Sequence, residues 1–262
     1  MPNAREISEY FETIVPSSMK MGDDNVGLLV DNRGGEVQKA LVALDVTEGV
    51  IEEAIACGVQ LILAHHPLFF GLNRVVGSEP AGKKIIRLIS SDIAALCMHT
   101  NLDGVEGGVS DCLLRLLGAE SAGIIEPATT QDGRLYGVGR YGTLAEEMPL
   151  GDFLANVKHA LKANGLRYYD AGRPVKRLAC CGGSGGNWIG LAAAAGCDTY
   201  VTADIKYDIF QRAEELGINL IDADHYCTEN VVIPYLVEKL REGFPSVRVM
   251  VSKTHKQIAK FF

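Results

Sequence analysis

The stretch that most constrains the fold is a short apolar run that ends in two adjacent histidines and a proline. Residues 61–64, with the sequence LILA, are continuously apolar, which is typical of a strand covered on both faces of its sheet. His65, His66 and Pro67 follow at once, and the proline ends the strand because it has no backbone N–H to donate. Neighbouring side chains on a strand point to opposite faces, but where the backbone turns both imidazoles can converge on one point. Since ligands collect at the carboxyl ends of strands in open α/β sheets, the stretch predicts either a polar site or two half-buried structural histidines.

Composition and charge limit the class of protein. A chain of 262 residues with 47% hydrophobic and 22% charged residues is ordinary for a globular protein of one large or two small domains. The net charge of −8 argues against nucleic acid or an anionic membrane surface as a partner. We find neither a signal-peptide pattern near Met1 nor an apolar run approaching the roughly 20 residues that span a bilayer. The seven cysteines form no C-x-x-C pair and are typical of thiols in a reducing compartment, so we expect a cytoplasmic protein.

Strand and helix patterns alternate along the chain, which favours the α/β class. Residues 40–66 and 178–204 each show a strand, an alanine-rich helix ended by one glycine, and a second strand that leads to a polar residue. Residues 94–103 and 218–229 each show an apolar strand that ends in the pattern His-x-x-x-acid. This weak internal repeat indicates two similar halves.

Residues that bind metals follow several of these predicted strands. Neutral imidazoles and carboxylates together suit zinc, iron, manganese or nickel, and a carboxylate can bridge two ions about 3.5–4 Å apart. Separate polar groups that bond to helix ends and loop amides would give the same pattern, and Glu229 would then only complement a helix N-terminus. We favour a metal site. The residues concerned are His65, His66, His99, Asp103, Asp204, His225 and Glu229.

A glycine-rich segment at residues 182–186, GGSGG, lies between a predicted strand and a predicted helix. It permits three interpretations: a tight turn that needs small residues, an amide-rich loop that holds a phosphate at a helix N-terminus, or a nucleophile elbow with Ser184. We rank them in that order. A serine hydrolase comes last because no histidine and acid can be assigned to Ser184 from their spacing.

Six segments carry a resemblance to a known family, and they extend over nearly the whole chain. They are residues 24–28 (DNVGL), 64–67 (AHHP), 99–103 (HTNLD), 181–185 (CGGSG), 202–204 (TAD) and 221–229 (IDADHYCTE). The combination resembles the NGG-interacting-factor-three-like family, whose members are often described as GTP cyclohydrolase I type 2 homologues. No single segment would be specific, but the combination is.

The resemblance implies two divalent metal ions, held by residues that match His65, His66, Asp103, His225 and Glu229. It also implies two similar α/β domains, with the last helix and strand returning to the first, and a homohexamer built as a trimer of dimers.

The domain boundaries follow from that expected fold and from local composition. Residues 118–132 read as turn-like, with little periodicity and one proline, so we place a boundary there. We therefore predict a first domain over residues 1–125 with His65, His66 and Asp103, and a second over residues 126–224. Residues 225–262 would be the return segment that completes the first domain and carries His225 and Glu229.

The chain departs from the family pattern at three places. Ala203 and Asp224 occupy positions where the family usually has glycine, and Tyr207, Asp208 and Gln211 occupy a region where many members have a histidine. The residues that match metal ligands are all retained, so the departures concern the substrate end of the pocket.

We therefore expect a dinuclear metal-dependent hydrolase, similar to a GTP cyclohydrolase, in which a metal-bridging hydroxide attacks GTP, a related purine nucleotide or another small molecule. His99 is the candidate proton shuttle, and its alternative role is a hydrogen bond that orients Asp103. Asp204 corresponds to His66 in the repeat and is the second candidate catalytic residue, unless it only caps the helix near Tyr207. A non-catalytic metal-binding protein, acting in metal delivery or partner regulation, stays open as the alternative function.

Overall fold

A computed structural model describes residues 1–32 and 34–261, and these fold into two compact units. The first unit contains Met1–Leu102 and Ile233–Lys256, and the second contains Asp103–Val232 and the terminal segment from Gln257. Each unit has its own sheet and its own helices. The predicted α/β class with two domains is confirmed.

The first unit is built on a five-stranded sheet. Its strands are β1 (Gly27–Val30), β2 (Lys39–Ala43), β3 (Leu61–Ala64), β4 (Ala94–Cys97) and β11 (Arg248–Val251). They lie in the order β1-β4-β3-β2-β11, and all are parallel except β1, which runs antiparallel to β4. Every residue of β3 and β4 is buried, as expected for apolar strands covered on both faces.

Local sequence signals determine where the helices of this unit begin and end. The helices are α1 (Ala4–Ile14), α2 (Glu48–Cys57), α3 (Pro80–Ser90) and α10 (Ile233–Gly243), with a 3₁₀ turn at Ser17–Met19. A further helix, α4 (Thr100–Gly104), begins in this unit, and its last two residues belong to the second. Asn3 and Glu6 form a capping box at the start of α1, which satisfies two backbone donors. Thr47 caps α2, and Gly58 ends it in the left-handed conformation that glycine adopts without strain.

The second unit is built on a six-stranded sheet. Its strands are β5 (Ala119–Thr129), β6 (Leu135–Met148), β7 (Arg167–Tyr169), β8 (Val175–Cys180), β9 (Thr199–Thr202) and β10 (Asn219–Asp222). The order is β5-β6-β8-β9-β10-β7, with β8, β9 and β10 parallel and β7 antiparallel to β10. The set β7-β10-β9-β8 therefore has the same order and directions as β1-β4-β3-β2 in the first unit.

Five helices and two 3₁₀ turns complete the described part of the second unit. They are α5 (Val109–Leu116), α6 (Leu150–Ala160), α7 (Ile189–Ala194), α8 (Tyr207–Leu216) and α9 (His225–Glu229), with 3₁₀ turns at Gly186–Trp188 and Asn230–Val232. Across residues 1–32 and 34–261, no helix has both the length and the apolarity needed to cross a membrane.

The structure divides the chain at other points than the sequence suggested. Residues 118–132 are not a linker, because most of them form β5, which pairs antiparallel with β6. This strand lies at the edge of its sheet and is largely exposed, so it lacks an apolar pattern, and an edge position tolerates Pro127. The units divide between Leu102 and Asp103 rather than at 125/126.

The return to the first unit starts later than predicted. It begins at Ile233, not at residue 225, and β11 pairs in parallel with β2. His225 and Glu229 consequently belong to the second unit.

Glu53, on α2, holds the segment that follows β11. Its carboxylate accepts hydrogen bonds from Ser252 Oγ (2.6 Å) and from the backbone N–H groups of Lys253 (2.9 Å) and Thr254 (3.2 Å), and the Thr254 hydroxyl contacts it as well. Burial by itself raises the pKa of Glu53, but these hydrogen bonds outweigh it and lower the pKa from 4.5 to about 2. The ionised carboxylate is therefore the form that stabilises this connection.

We expect Glu53→Gln to lower the free energy of unfolding by about 1–2 kcal/mol at pH 7, a figure reduced for the partial exposure of the group. Because the folded-state pKa lies below the unfolded value, the contribution is present above about pH 4.5 and is lost as the pH falls towards 2. Urea denaturation should therefore show a smaller difference between wild type and variant at pH 3 than at pH 7.

Glu52→Gln serves as the control for this prediction. Glu52 lies on the same helix and pairs with Arg87 at the surface, where ion pairs contribute little. The same difference at both pH values for Glu53→Gln would contradict the role of its ionised carboxylate.

Candidate metal centre

Three imidazoles converge at the carboxyl ends of β3 and β4 in the first unit. His65 and His66 follow β3 directly, and their ring centroids are 5.0 Å apart. The ring of His99 lies 5.3 Å from that of His65 and 5.6 Å from that of His66. One ring nitrogen of each residue lies within 4.8 Å of the others, so the turn at Pro67 does bring the pair to one point.

Parallel register explains why these side chains meet. Ala43, Ala64 and Cys97 end β2, β3 and β4, and they lie level with one another. The residues two positions further on are Asp45, His66 and His99. Three neighbouring strands therefore place a carboxylate and two imidazoles at the same edge of the sheet.

Each of the three histidines is oriented by a hydrogen bond from its Nδ1 to an oxygen. The acceptors are Met98 O for His65 (2.8 Å), Asp45 Oδ1 for His66 (2.7 Å) and Asp24 for His99 (2.9 Å to each carboxylate oxygen). Carbonyl and carboxylate oxygens accept, so Nδ1 carries the proton and Nε2 carries the lone pair. Metal-binding histidines are oriented in this way.

Asp24 is itself firmly held, and its hydrogen bond fixes the orientation of the His99 ring. Its carboxylate accepts from Thr100 Oγ1 at 2.6 Å and from the Thr100 backbone at 3.1 Å. Burial raises the pKa of Asp24, but the hydrogen bonds from Thr100 and His99 outweigh it, so the pKa is lowered overall. The pKa of His99 is lowered, mainly by burial and also by His65 and His66, against the effect of Asp24. The sequence suggested a bond from His99 to Asp103, whereas the carboxylate that Nδ1 contacts is Asp24.

In the second unit, His225 lies between two carboxylates. His225 and Glu229 are one turn apart on α9, with Nε2 and Oε2 separated by 3.0 Å. On the other side of the ring, Nδ1 lies 2.7 Å from Asp204 Oδ2. Burial lowers the pKa of His225, but the hydrogen bonds and charges of Glu229 and Asp204 outweigh it and raise the pKa to about 9. A metal that binds Nε2 would displace that proton.

Asp204 orients the candidate ligand His225 and is not the N-cap of α8. The N-cap of α8 is Lys206, and its side chain makes no capping hydrogen bond. Asp204 also adopts a positive φ of 54°, which is uncommon for a residue other than glycine.

Asp103 belongs to the same unit as His225 and Glu229. The two residues that follow it in the chain are fixed by Arg140. A carboxylate oxygen of Asp103 and one of Glu229 lie within 4.8 Å of each other. The buried guanidinium of Arg140 donates to the carbonyl oxygens of Gly104 (3.0 Å) and Val105 (3.1 Å), directly after Asp103. Sequence reasoning did not assign Arg140, Asp24 or Asp45 to the site. Asp45 does follow β2, and Asp24 lies in the segment 24–28, so a strand-end position and the segment pattern were the available signals, whereas Arg140 had none.

The glycine-rich loop at residues 182–186 packs against Glu229. Gly183 has a φ of 59°, and a Cβ there would collide with Glu229 Oε1 and lie 3.2 Å from His225 Cε1. The Gly183 and Gly185 amides donate to the Thr228 and Thr202 hydroxyls at 3.0 and 2.9 Å. These amides are therefore not available to a phosphate, and the tight-turn interpretation accounts for the loop.

One departure from the family pattern also has a local explanation. Asp224 takes the place of a glycine and has a φ of 74°. Its Oδ1 accepts from the Cys227 backbone N–H at 3.1 Å and so caps α9. The cap offsets part of the cost of the unfavourable backbone conformation.

The residues in each unit fit a divalent metal by their chemistry. The first unit provides His65, His66 and His99 with Nε2 lone pairs, and the second provides Asp103, His225 and Glu229. Imidazole nitrogens with carboxylate oxygens are the donor set of first-row divalent ions. Fold and side chains thus define an α/β protein of two units with candidate metal-binding residues in both.

Comparison with known proteins identifies the family. Residues 2–258 match the model of the Duf34/NIF3 (NGG1p interacting factor 3) family. The chain therefore belongs to this family.

Two relatives and one structural neighbour match along 90% or more of the chain. A Clostridium perfringens protein named "GTP cyclohydrolase 1 type 2 homolog" is 38% identical over 98% of both chains. A Clostridium acetobutylicum protein of the same name is 33% identical over 90% of this chain and 88% of its own. The crystal structure of a Bacillus cereus protein related to NIF3 matches with a TM-score of 0.91 at 27% identity, over 100% of this chain and 99% of the other.

We expect Gly183→Ala to destabilise the second unit by about 2–4 kcal/mol, because the new Cβ meets Glu229 and the positive φ disfavours alanine. Chemical denaturation measures the change. Gly190→Ala is the matched control: it has no atom within 4 Å of the new Cβ and lies in α7, where alanine stabilises by roughly 0.5–1 kcal/mol. A Gly183→Ala protein as stable as wild type would show that the loop does not pack against Glu229 as described.

We expect Asp204→Ala to weaken binding of Zn²⁺ roughly 10- to 100-fold, because His225 loses the partner that orients its ring. Asp204→Asn should recover part of the affinity, since an amide oxygen still accepts from Nδ1. Competition with a chelator measures the affinity. Asp208→Ala, at an exposed position on α8, controls for loss of charge, and equal affinities in the Asp204→Ala and Asp208→Ala proteins would contradict the role of Asp204.

Proposed function

We propose that this protein is a dinuclear metal-dependent hydrolase, like a GTP cyclohydrolase, that acts on the ring of a purine nucleotide or a related small molecule. The observation that carries the proposal is the set of Nδ1 hydrogen bonds at His65, His66 and His225, which orients each ring with Nε2 as the candidate ligand atom. At His225 a metal would take the place of the proton between Nε2 and Glu229. The name shared by the clostridial relatives supports the substrate class.

Two divalent ions are the proposed cofactors, and zinc, iron, manganese and nickel all suit the donor set. Their ligands would be His65 and His66 from the first unit, with Asp103, His225 and Glu229 from the second. The resemblance to the family is the reason for assigning both sets to the same pair of ions. Such ions, when bound, supply Lewis acidity and lower the pKa of water towards neutrality.

The chain's own residues orient the ligands and move protons. Asp103 and Glu229 each have two carboxylate oxygens, and their proximity within the second unit suits ligands shared by a pair of ions. Asp45 and Asp204 fix the imidazoles of His66 and His225 through Nδ1. These two carboxylates are positioning residues in the proposed mechanism.

His99 is the proposed proton shuttle. Its lowered pKa favours the neutral ring at physiological pH, so Nε2 can take a proton from water and give it to the leaving ring nitrogen. Asp24 accepts from Nδ1 and stabilises the protonated intermediate state of the imidazole.

We also propose that the protein assembles as a homohexamer, a trimer of dimers. This part of the proposal is supported by the family resemblance alone.

Reconstituted wild-type protein should contain two equivalents of metal and hydrolyse GTP, as measured by elemental analysis and by chromatography of the nucleotide. His65→Ala should lose at least one ion and the activity, and Glu229→Gln should do the same because an amide is neutral and a poor bridge. His159→Ala, an exposed histidine on α6, should retain both.

The outcomes separate the candidate functions. Two bound ions without turnover of GTP would favour a non-catalytic metal-binding protein. Fewer than two ions after reconstitution, or full retention of metal in the Glu229→Gln protein, would contradict the dinuclear centre.

A further inference from the structure

An aromatic side chain beside the histidine cluster of the first unit is exposed although its loop is anchored. Phe70 is 69% exposed. Leu68, two residues earlier, is buried, Phe69 packs against the core, and Asn25 Nδ2 donates to Phe69 O at 2.8 Å. Leu68 and Phe69 thus hold the loop against the core, while the ring of Phe70 projects into solvent.

Phe70 also touches the candidate site. Its ring centroid lies 5.7 Å from that of His99, with the ring planes at 60°. This near edge-to-face contact occupies little of the phenyl surface, so most of the ring remains available to a ligand. His99 is in turn fixed by Asp24 and lies beside His65 and His66.

An open aromatic face next to oriented ring nitrogens suits one class of ligand. A planar heteroaromatic ring can stack on the phenyl group, because every such ring has a π-face. Its edge carries nitrogen and oxygen atoms that can form hydrogen bonds with an imidazole. An aliphatic or purely anionic ligand would use the histidines but would gain little from Phe70.

The same loop exposes other apolar side chains, including Leu72 (41%) and Val75 (43%). A protein partner would use all of them as one surface. Phe70 differs from these two because its ring contacts His99, which is why a ring-shaped substrate is favoured over a protein partner.

We propose that Phe70 is the stacking platform for the planar heteroaromatic ring of the substrate and holds the edge of that ring towards His99. The inference rests on the proposed function for the reaction that follows, but the stacking itself needs only the phenyl face. Phe70 is therefore a substrate-binding residue that can be tested without metal.

The test compares GTP with inorganic tripolyphosphate, which has no ring, by calorimetric titration of the metal-free and the metal-loaded protein. Phe70→Leu should bind GTP roughly 5- to 150-fold more weakly, the range expected for loss of one base–aromatic stack. Its affinity for tripolyphosphate, its metal content and its melting temperature should not change, since Phe70 is exposed. Leu72→Ala, in the same loop, should bind GTP like wild type.

A Phe70→Trp variant should retain the affinity for GTP, and the added tryptophan fluorescence should be quenched by GTP but not by tripolyphosphate. GTP affinity equal to wild type in the Phe70→Leu protein would overturn the proposal. The proposal would also be overturned if the Phe70→Leu protein differed from wild type only in its sedimentation coefficient. That result would show that the Phe70 ring contacts another copy of the chain.

The experiment also separates this inference from the proposed function. A wild-type protein that binds two ions but prefers GTP no more than tripolyphosphate overturns the stacking platform and leaves the metal centre intact. A wild-type protein that binds no metal overturns the proposed function, while a Phe70-dependent preference for GTP would still support the platform.

Discussion

The hydrogen bond that each cluster histidine makes through Nδ1 is the interaction on which the candidate centre depends. An imidazole with a free choice of tautomer and rotamer is a poor ligand, because binding would have to fix both. Here Met98 O, Asp45, Asp24 and Asp204 fix them in the folded chain. Orientation of this kind is typically worth 10- to 100-fold in metal affinity.

The fold supplies these acceptors through the register of its parallel strands. Level strand ends put Asp45 beside His66. In the second unit, Thr202 and Asp222 are level at the ends of β9 and β10, so the residues that follow them place Asp204 beside His225. Each unit thus contains a pair made of a carboxylate from one strand end and an imidazole from the next. The pairs are not at equivalent strands, since the first lies at β2 and β3 and the second at β9 and β10, which match β3 and β4.

Strained backbone lies next to the Asp204–His225 pair. Asp204 and Asp224 both have positive φ angles, and Gly183 leaves no space for a side chain next to Glu229. Strained backbone persists where surrounding contacts determine it and is common at functional sites. Arg140, with all of its guanidinium nitrogens bonded to Asp111 and to backbone carbonyls, fixes the chain beside Asp103 in a comparable way.

Much of the fold can be predicted from local sequence, because local physics determines it. Continuous apolar runs predict the buried strands β3 and β4, and Thr47 and Gly58 mark the ends of α2. The edge strand β5 was missed because an exposed strand that carries a proline has no apolar period to detect. The division at Leu102 was missed for a related reason, since it falls inside α4 and no break in composition marks it.

In the candidate site, too, the residue positions could be predicted from sequence, but their partners could not. The sequence by itself placed His65, His66, His99, Asp103, Asp204, His225 and Glu229 after predicted strands. The strand–proline pattern allowed the histidine pair to converge but equally allowed two structural histidines. Only the tertiary structure decided which oxygen orients each imidazole. Asp24 and His99 are 75 residues apart in sequence, and a partnership at that separation is set by strand register and by the packing of loops. No local pattern encodes those two properties, because they arise only when the sheet has formed.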